Sequence, residues 1–306
     1  MGPVPGFFIV GSPKCGTTAM SEYLRTHPQV FLSDPKEPGF FAEDVVPTAY
    51  RTLDEYLAIF AAATSQHTVV GEASTSYIYA EHALERIRNL RPDARLVVML
   101  RRPVDLIYAL HDELLRVGQE SEFDFEKAWA LWPDRARGKA IPPGAKAPQL
   151  NYRWIGCLGS QADRLLRIFP RRQVHFILFD DFVRDTRSAY LRLLEFLDLP
   201  DDGRTHFPKI NEGVQHRSRF LARFPRYLRA KAGGRVAAFK KFVGVRELGI
   251  VKGFDRFNAD ASPRPPLLPA FRRSLEELYS EEILLLEQRI GVDLSAWRTS
   301  VAASAP

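Results

Sequence analysis

Cysteine is scarce: the 306 residues hold two, Cys15 and Cys157. Two thiols cannot build a disulfide framework, so a disulfide-stapled scaffold is excluded and reduced thiols are expected. Long apolar runs are missing too. No stretch approaches the ~18 apolar residues of a membrane span, and the chain reaches Phe7 without a basic start, an apolar signal core or a cleavage site. A cytoplasmic location is expected. Acidic residues are absent from one region in particular: Arg217 to Arg246 holds ten Lys or Arg and no Asp or Glu. Such a block suits a polyanion or peripheral contact with an anionic surface, the alternative being a solvated basic helix face. The overall balance is milder, a formal net charge of +6, and a nucleic-acid partner is not expected.

What is present is enough for a buried core, with 45% hydrophobic and 11% aromatic residues. Short apolar runs at Phe7 to Val10, Val69 to Gly71, Leu96 to Leu100 and Val174 to Phe179 have the length and composition of buried parallel strands. Between them, apolar residues recur every three or four positions at Thr17 to Arg25, Glu55 to Ala62, Glu81 to Asn89, Val104 to Val117, Trp154 to Phe169 and Ser188 to Leu197. The alternation predicts an α/β fold, an open parallel sheet flanked by helices. Trp132 to Pro148, with four prolines and two glycines, is expected to be an exposed loop or lid. A second proline-rich break, Ser262 to Pro269, precedes an amphipathic helix from about Leu267 to Arg289, with Leu275, Leu278, Ile283 and Leu286 inward. With no internal repeat, one domain over 1–306 is expected, residues 217–306 forming a mainly helical C-terminal extension.

The loop Gly11-Ser12-Pro13-Lys14-Cys15-Gly16-Thr17-Thr18 joins the first strand to the first helix. A strand that turns through glycine into a helix aims backbone N–H groups and the positive helix end at an anion, and Lys14 adds a point charge. The order is wrong for a nucleoside triphosphate loop, because Gly16 is followed by Thr17 where that motif has Lys. After the third strand come Arg101, Arg102 and Pro103, then a helix with His111. An arginine at that strand end can fork onto a phosphate beside the first loop.

The run Phe8 to Thr18, His27-Pro28, Lys36-Glu37-Pro38 with Phe40-Phe41, Gly71-Glu72-Ala73-Ser74 with Tyr77, and Arg101 with Pro103 resembles the PAPS-dependent sulfotransferases. PAPS is 3′-phosphoadenosine 5′-phosphosulfate. The likeness continues through Phe169-Pro170, a strand ending Phe179-Asp180-Asp181-Phe182, Lys209-Ile210-Asn211 and Gly291 to Trp297, and it leans toward the bacterial and glycan-type branch. It implies a P-loop-like fold in which Ser12, Pro13, Lys14, Cys15, Gly16, Thr17 and Thr18 hold the 5′-phosphosulfate and Arg101 the 3′-phosphate. Asn211, Arg217 and Arg219 resemble the loop that closes over the 3′-phosphate and adenine. The expected reaction is transfer of the sulfuryl group to a hydroxyl, or in second place an amine, of a carbohydrate, lipid or secondary metabolite, with no metal required. Lys14 is the expected neutraliser of the leaving oxygen, and Glu37 matches the glutamate used as base in the glycan enzymes. Glu72 and His111 stay open as alternative bases.

Three positions depart from the family pattern. Ala109 stands where many relatives have a serine that shares the 3′-phosphate, Ala73 where a lysine is sometimes found, and Gly39 where bacterial members often have histidine. Arg102 or the basic segment is the expected compensation at the first. Two other readings stand beside this one: a P-loop small-molecule kinase, for which Asp180 or Asp181 would hold magnesium, and a non-enzymatic binding protein.

Overall fold

The structure is a computed structural model that describes residues 2–210 and 265–298 and, as backbone, residues 215–216 and 259–260. Its first part alternates strand and helix: β1 (Phe7–Gly11), α1 (Thr17–Arg25), β2 (Val30–Leu32), α2 (Leu53–Ala58), β3 (Val69–Ala73), α3 (Ala83–Leu90), β4 (Arg95–Leu100) and α4 (Pro103–Val117). Then follow α5 (Phe125–Ala130), α6 (Trp132–Arg135), α7 (Tyr152–Ile155), α8 (Leu158–Ile168), β5 (Val174–Leu178), α9 (Phe179–Arg184) and α10 (Thr186–Phe196). Strands β6 (Gln215–His216) and β7 (Ala259–Asp260) pair antiparallel, and α11 (Pro269–Leu278), α12 (Ser280–Ile290) and α13 (Ser295–Arg298) end the described chain.

The main sheet runs β2-β3-β1-β4-β5, and every neighbouring pair is parallel. Central β1 is buried at all five positions, as a strand covered on both faces must be. The chain leaves β1 toward β2 on one side and crosses from β3 to β4 on the other. The strand order therefore reverses between β1 and β4, and a crevice opens outside their carboxyl ends. The loop after β1 and the turn before α4 both emerge there.

The expected α/β class and open parallel sheet are observed, with local differences. Strand β2 is three residues long, too short for a periodic signal. Phe179 to Phe182 form the first turn of α9 and do not extend β5. The C-terminal helix breaks at Tyr279, whose hydroxyl donates to Tyr152 O and Arg153 O, each at 3.1 Å. Leu275, Ile283 and Leu286 are buried as expected, whereas Leu278, just before the break, is exposed.

The stretch 132–148 also differs. Residues 136–140 are exposed as expected, but the stretch starts in α6 and ends in a 3-10 turn, Ala147–Leu150. Arg135 is wholly buried: Nη2 lies 2.8 Å from Glu120 Oε1 and Nη1 donates to Ala128 O at 3.2 Å. Glu120, equally buried, also accepts from Tyr152 Oη at 2.9 Å. Its side-chain partner Glu120 is 15 residues away and its other contacts are backbone carbonyls, so no local pattern marks Arg135 as internal.

Candidate active site

The loop after β1 is held from below. Ser12 N donates to Met99 O at 2.8 Å, tying the loop to β4. The Ser12 hydroxyl is buried and finds no partner among the described residues. Gly16 caps α1 at φ 85°, a left-handed conformation that favours glycine, and an added Cβ would stand 2.9 Å from the Phe182 ring. The first turn of α1 contains no acidic residue to neutralise the free N–H groups of the helix. Cys15 is fully buried and its thiol donates to Pro13 O at 3.3 Å. Burial pushes this thiol far above its ordinary range, outweighing the nearby charges of Arg101 and Lys14. It is an inert thiol, and what residue 15 offers an anion is its backbone.

Lys14 has φ 60°, and its ammonium lies 3.3 Å from Glu113 Oε2 on α4. Glu113 also meets Arg116. Burial pushes the Glu113 carboxyl up, but Lys14 and Arg116 together outweigh it and hold it below the usual carboxylate range. Glu113 is a partner of Lys14 at the candidate site that the sequence reading missed. Its only signal is spacing, four residues beyond Ala109 on the same helix face.

Arg101 leaves β4 toward the same loop: Nη1 donates to Lys14 O at 3.3 Å and the guanidinium lies 4.8 Å from the centre of the Phe179 ring. Its neighbour Arg102 points elsewhere, donating to Ala296 O in α13 at 2.7 Å. The expected compensation for Ala109 by Arg102 is not seen; that guanidinium is engaged in docking the C-terminal helix. Asn211, Arg217 and Arg219, like the whole basic segment 217–246, lie outside the described residues.

Glu37 follows β2 and sits above the end of β3, where its N–H donates to Ala73 O at 3.0 Å. Its carboxylate is half-exposed and pairs with Lys36 at 2.5 Å. Glu72, on β3, is fully buried and accepts from Tyr56 Oη at 2.6 Å, Ser74 Oγ at 2.6 Å and Tyr77 Oη at 2.8 Å. With three hydroxyl donors and no exposure, Glu72 cannot itself meet an acceptor. His111 is buried as well, contacts Glu122 O through Nε2 at 2.8 Å and packs on Phe125 and Tyr152. Of the three candidate bases, only Glu37 opens to solvent.

The carboxylates that a kinase reading needs are in use. Asp180 Oδ2 accepts from Trp297 Nε1 at 3.2 Å, and Asp181 pairs with Arg184 at 2.5 Å. Among the described residues no group of three His, Cys, Asp or Glu is placed to hold a metal ion.

The strand order, the glycine-capped loop and Arg101 at the next strand end agree with what sequence comparison finds. The sulfotransferase domain family matches residues 5–212, more than half of the chain. The chain belongs to the PAPS-dependent sulfotransferases. A solved sulfotransferase from Alicyclobacillus acidocaldarius has a TM-score of 0.68 to it at 26% identity, covering 97% of this chain and 100% of that one. Human carbohydrate sulfotransferase 15 is 30% identical over 149 residues, 35% of this chain and 26% of that protein. Mouse heparan sulfate glucosamine 3-O-sulfotransferase 6 is 27% identical over 202 residues, 64% of this chain and 52% of that protein. This sulfotransferase thus spans about a quarter to a half of the length of the curated relatives it matches. Among its described residues no helix is long and apolar enough to cross a membrane.

Proposed function

We propose that this protein transfers the sulfuryl group of PAPS to a hydroxyl of a carbohydrate acceptor, with lipid or secondary-metabolite hydroxyls and amines as the other acceptor classes to be tested. The observation that carries the reading is the convergence at the strand-order reversal: the Gly11 to Thr18 cradle, Lys14 at its rim and Arg101 from the next strand, in contact through Arg101 Nη1 and Lys14 O. The carbohydrate class rests on the glycan sulfotransferases among the relatives.

The residues present fit a phosphosulfate donor. The buried, unpartnered Ser12 hydroxyl, the uncapped N–H groups at the start of α1 and the two cations Lys14 and Arg101 supply donors and positive charge with no acidic residue in the helix's first turn. Ser12, Pro13, Cys15, Gly16, Thr17 and Thr18 would hold the 5′ side, largely through backbone, and Arg101 the 3′-phosphate. When bound, the donor supplies an activated sulfuryl group attached to a stable leaving group. Lys14 would place positive charge where the leaving oxygen becomes negative, which lowers the barrier because that charge is larger in the transition state than in the bound donor. Glu37 accepts the proton of the acceptor hydroxyl as it attacks, and its exposure lets an acceptor reach it. Lys36 contacts the same carboxylate at 2.5 Å. Free thiols at Cys15 and Cys157 fit the reducing, cytoplasmic location expected from the sequence.

Incubation with sulfur-labelled PAPS and panels of oligosaccharides, lipid alcohols, small aromatic alcohols and amines tests the reading. Label on an oligosaccharide hydroxyl is the expected result. Stabilisation against heat by ATP with magnesium, and none by adenosine 3′,5′-bisphosphate, would overturn it.

A further inference from the structure

The side-chain contacts that seat the loop carrying Glu37 converge on the buried carboxylate of Glu72. The Glu37 loop is tied down at two backbone points, Glu37 N to Ala73 O at 3.0 Å and Gly39 N to Ser74 Oγ at 3.1 Å. The second tie depends on Glu72, because Ser74 Oγ donates to Glu72 Oε2 while it accepts from Gly39. The following aromatic pair is seated in the same way. Phe40 stacks on Tyr56 at 4.5 Å, Phe41 packs edge-on to Tyr56 at 5.3 Å and Tyr77 at 5.6 Å, and both tyrosine hydroxyls donate to Glu72 Oε1. Three elements, β3, α2 and the turn after β3, are joined by this one group. A chain of hydrogen bonds ending on a buried anion is stronger than its separate links, and leaving that anion unpaired would be costly.

We infer that Glu72 is a positioning residue for sulfuryl transfer: its carboxylate, through Ser74, Tyr56 and Tyr77, holds the loop that carries Glu37 at the acceptor side of the site. The inference rests on the reading of Glu37 as the base. It gives Glu72 a function distinct from both acid–base chemistry and donor binding, since its three partners are hydroxyls that seat the Glu37 loop and none belongs to the Gly11 to Thr18 loop.

Two substitutions separate this from general support of the core. Glu72→Gln keeps the shape and one accepting oxygen for the tyrosines but turns the polarity of the Ser74 link around. Ser74→Ala removes the link and leaves the tyrosine bonds. Both variants should bind adenosine 3′,5′-bisphosphate as the parent does and keep the parent's KM for PAPS, while kcat falls about tenfold to a hundredfold through misplacement of the base. The pH profile gives a second readout. Burial is the main cause that raises the Glu72 carboxyl to about 7, with the Ser74, Tyr56 and Tyr77 hydroxyls opposing it and Glu37 adding to it; Tyr50 also lies within its field. Parental kcat should therefore rise with pH through neutrality, and Glu72→Gln should lose that limb. If both variants keep kcat within about twofold while Glu37→Gln abolishes transfer, the inference fails and the proposed function stands. A fall in kcat matched by equal loss of nucleotide affinity or of Tm in Ser74→Ala also overturns it, leaving only structural support. Normal transfer by Glu37→Gln would instead sink the assignment of the base.

Discussion

The Lys14 ammonium lies 3.3 Å from Glu113 Oε2, bridging the loop after β1 to the middle of α4 with both side chains about 30% exposed (31% and 30%). The cation proposed for the leaving oxygen is thus already paired before any donor enters. A donor must displace Glu113 or share Lys14 with it, and the carboxylate opposes an incoming dianion. Glu113→Gln is expected to tighten adenosine 3′,5′-bisphosphate roughly twofold to fivefold, the ~0.5–1 kcal/mol of a partly exposed pair. Lys14→Ala should lower kcat by about a hundredfold or more, since it removes charge at the leaving oxygen. Calorimetric titration and steady-state rates check both; weaker binding by Glu113→Gln would show that Glu113 supports the donor site.

Arg101 and Arg102 are adjacent in sequence but face different partners. Arg101→Ala should weaken adenosine 3′,5′-bisphosphate about thirtyfold, the ~2 kcal/mol of a hydrogen bond to a charged group. Arg102→Ala should leave that affinity unchanged and lower Tm instead, because its contact is Ala296 O. Adenosine 5′-phosphate, which lacks the 3′ group, should bind the Arg101→Ala variant and the parent alike.

Gly16→Ala adds a methyl in a left-handed conformation against the Phe182 ring. The conformational penalty of ~1–2 kcal/mol and the overlap together should lower Tm by several degrees. Nucleotide affinity should fall as well, because the first N–H groups of α1 turn away. A variant that melts and binds like the parent would remove Gly16 from the cradle.

The Arg135 and Glu120 pair is wholly buried. Arg135→Met takes the guanidinium away from the buried Glu120 carboxylate, which keeps Tyr152 and the N–H groups of Ser121 and Glu122, and should cost about 3–5 kcal/mol. Adding Glu120→Gln to Arg135→Met should restore part of that loss, and chemical denaturation of the single and double variants measures the coupling. Equal stability of parent and Arg135→Met would return residue 135 to the exposed loop expected from sequence.

Much of the architecture was legible because it is local. Apolar runs marked β1, β3, β4 and β5, and the loop from Gly11 to Thr18 showed itself because its glycine, lysine and threonines are contiguous. Arg101 followed from its place directly after a strand. Strand β2 was too short to announce itself, and the break at Tyr279 depends on carbonyls of Tyr152 and Arg153 more than a hundred residues earlier.

The sequence by itself determined the α/β class, the glycine-bearing loop between β1 and α1 and the family, since each is written in contiguous residues whose backbone geometry follows from their own chemistry. Tertiary structure decided what those residues face. Strand order brought Arg101 to the Lys14 loop, helix α4 delivered Glu113 to the Lys14 ammonium, and burial removed Glu72 and His111 from contact with any acceptor while leaving Glu37 open. Charge pairing and desolvation depend on distance through space, and only the folded chain sets those distances.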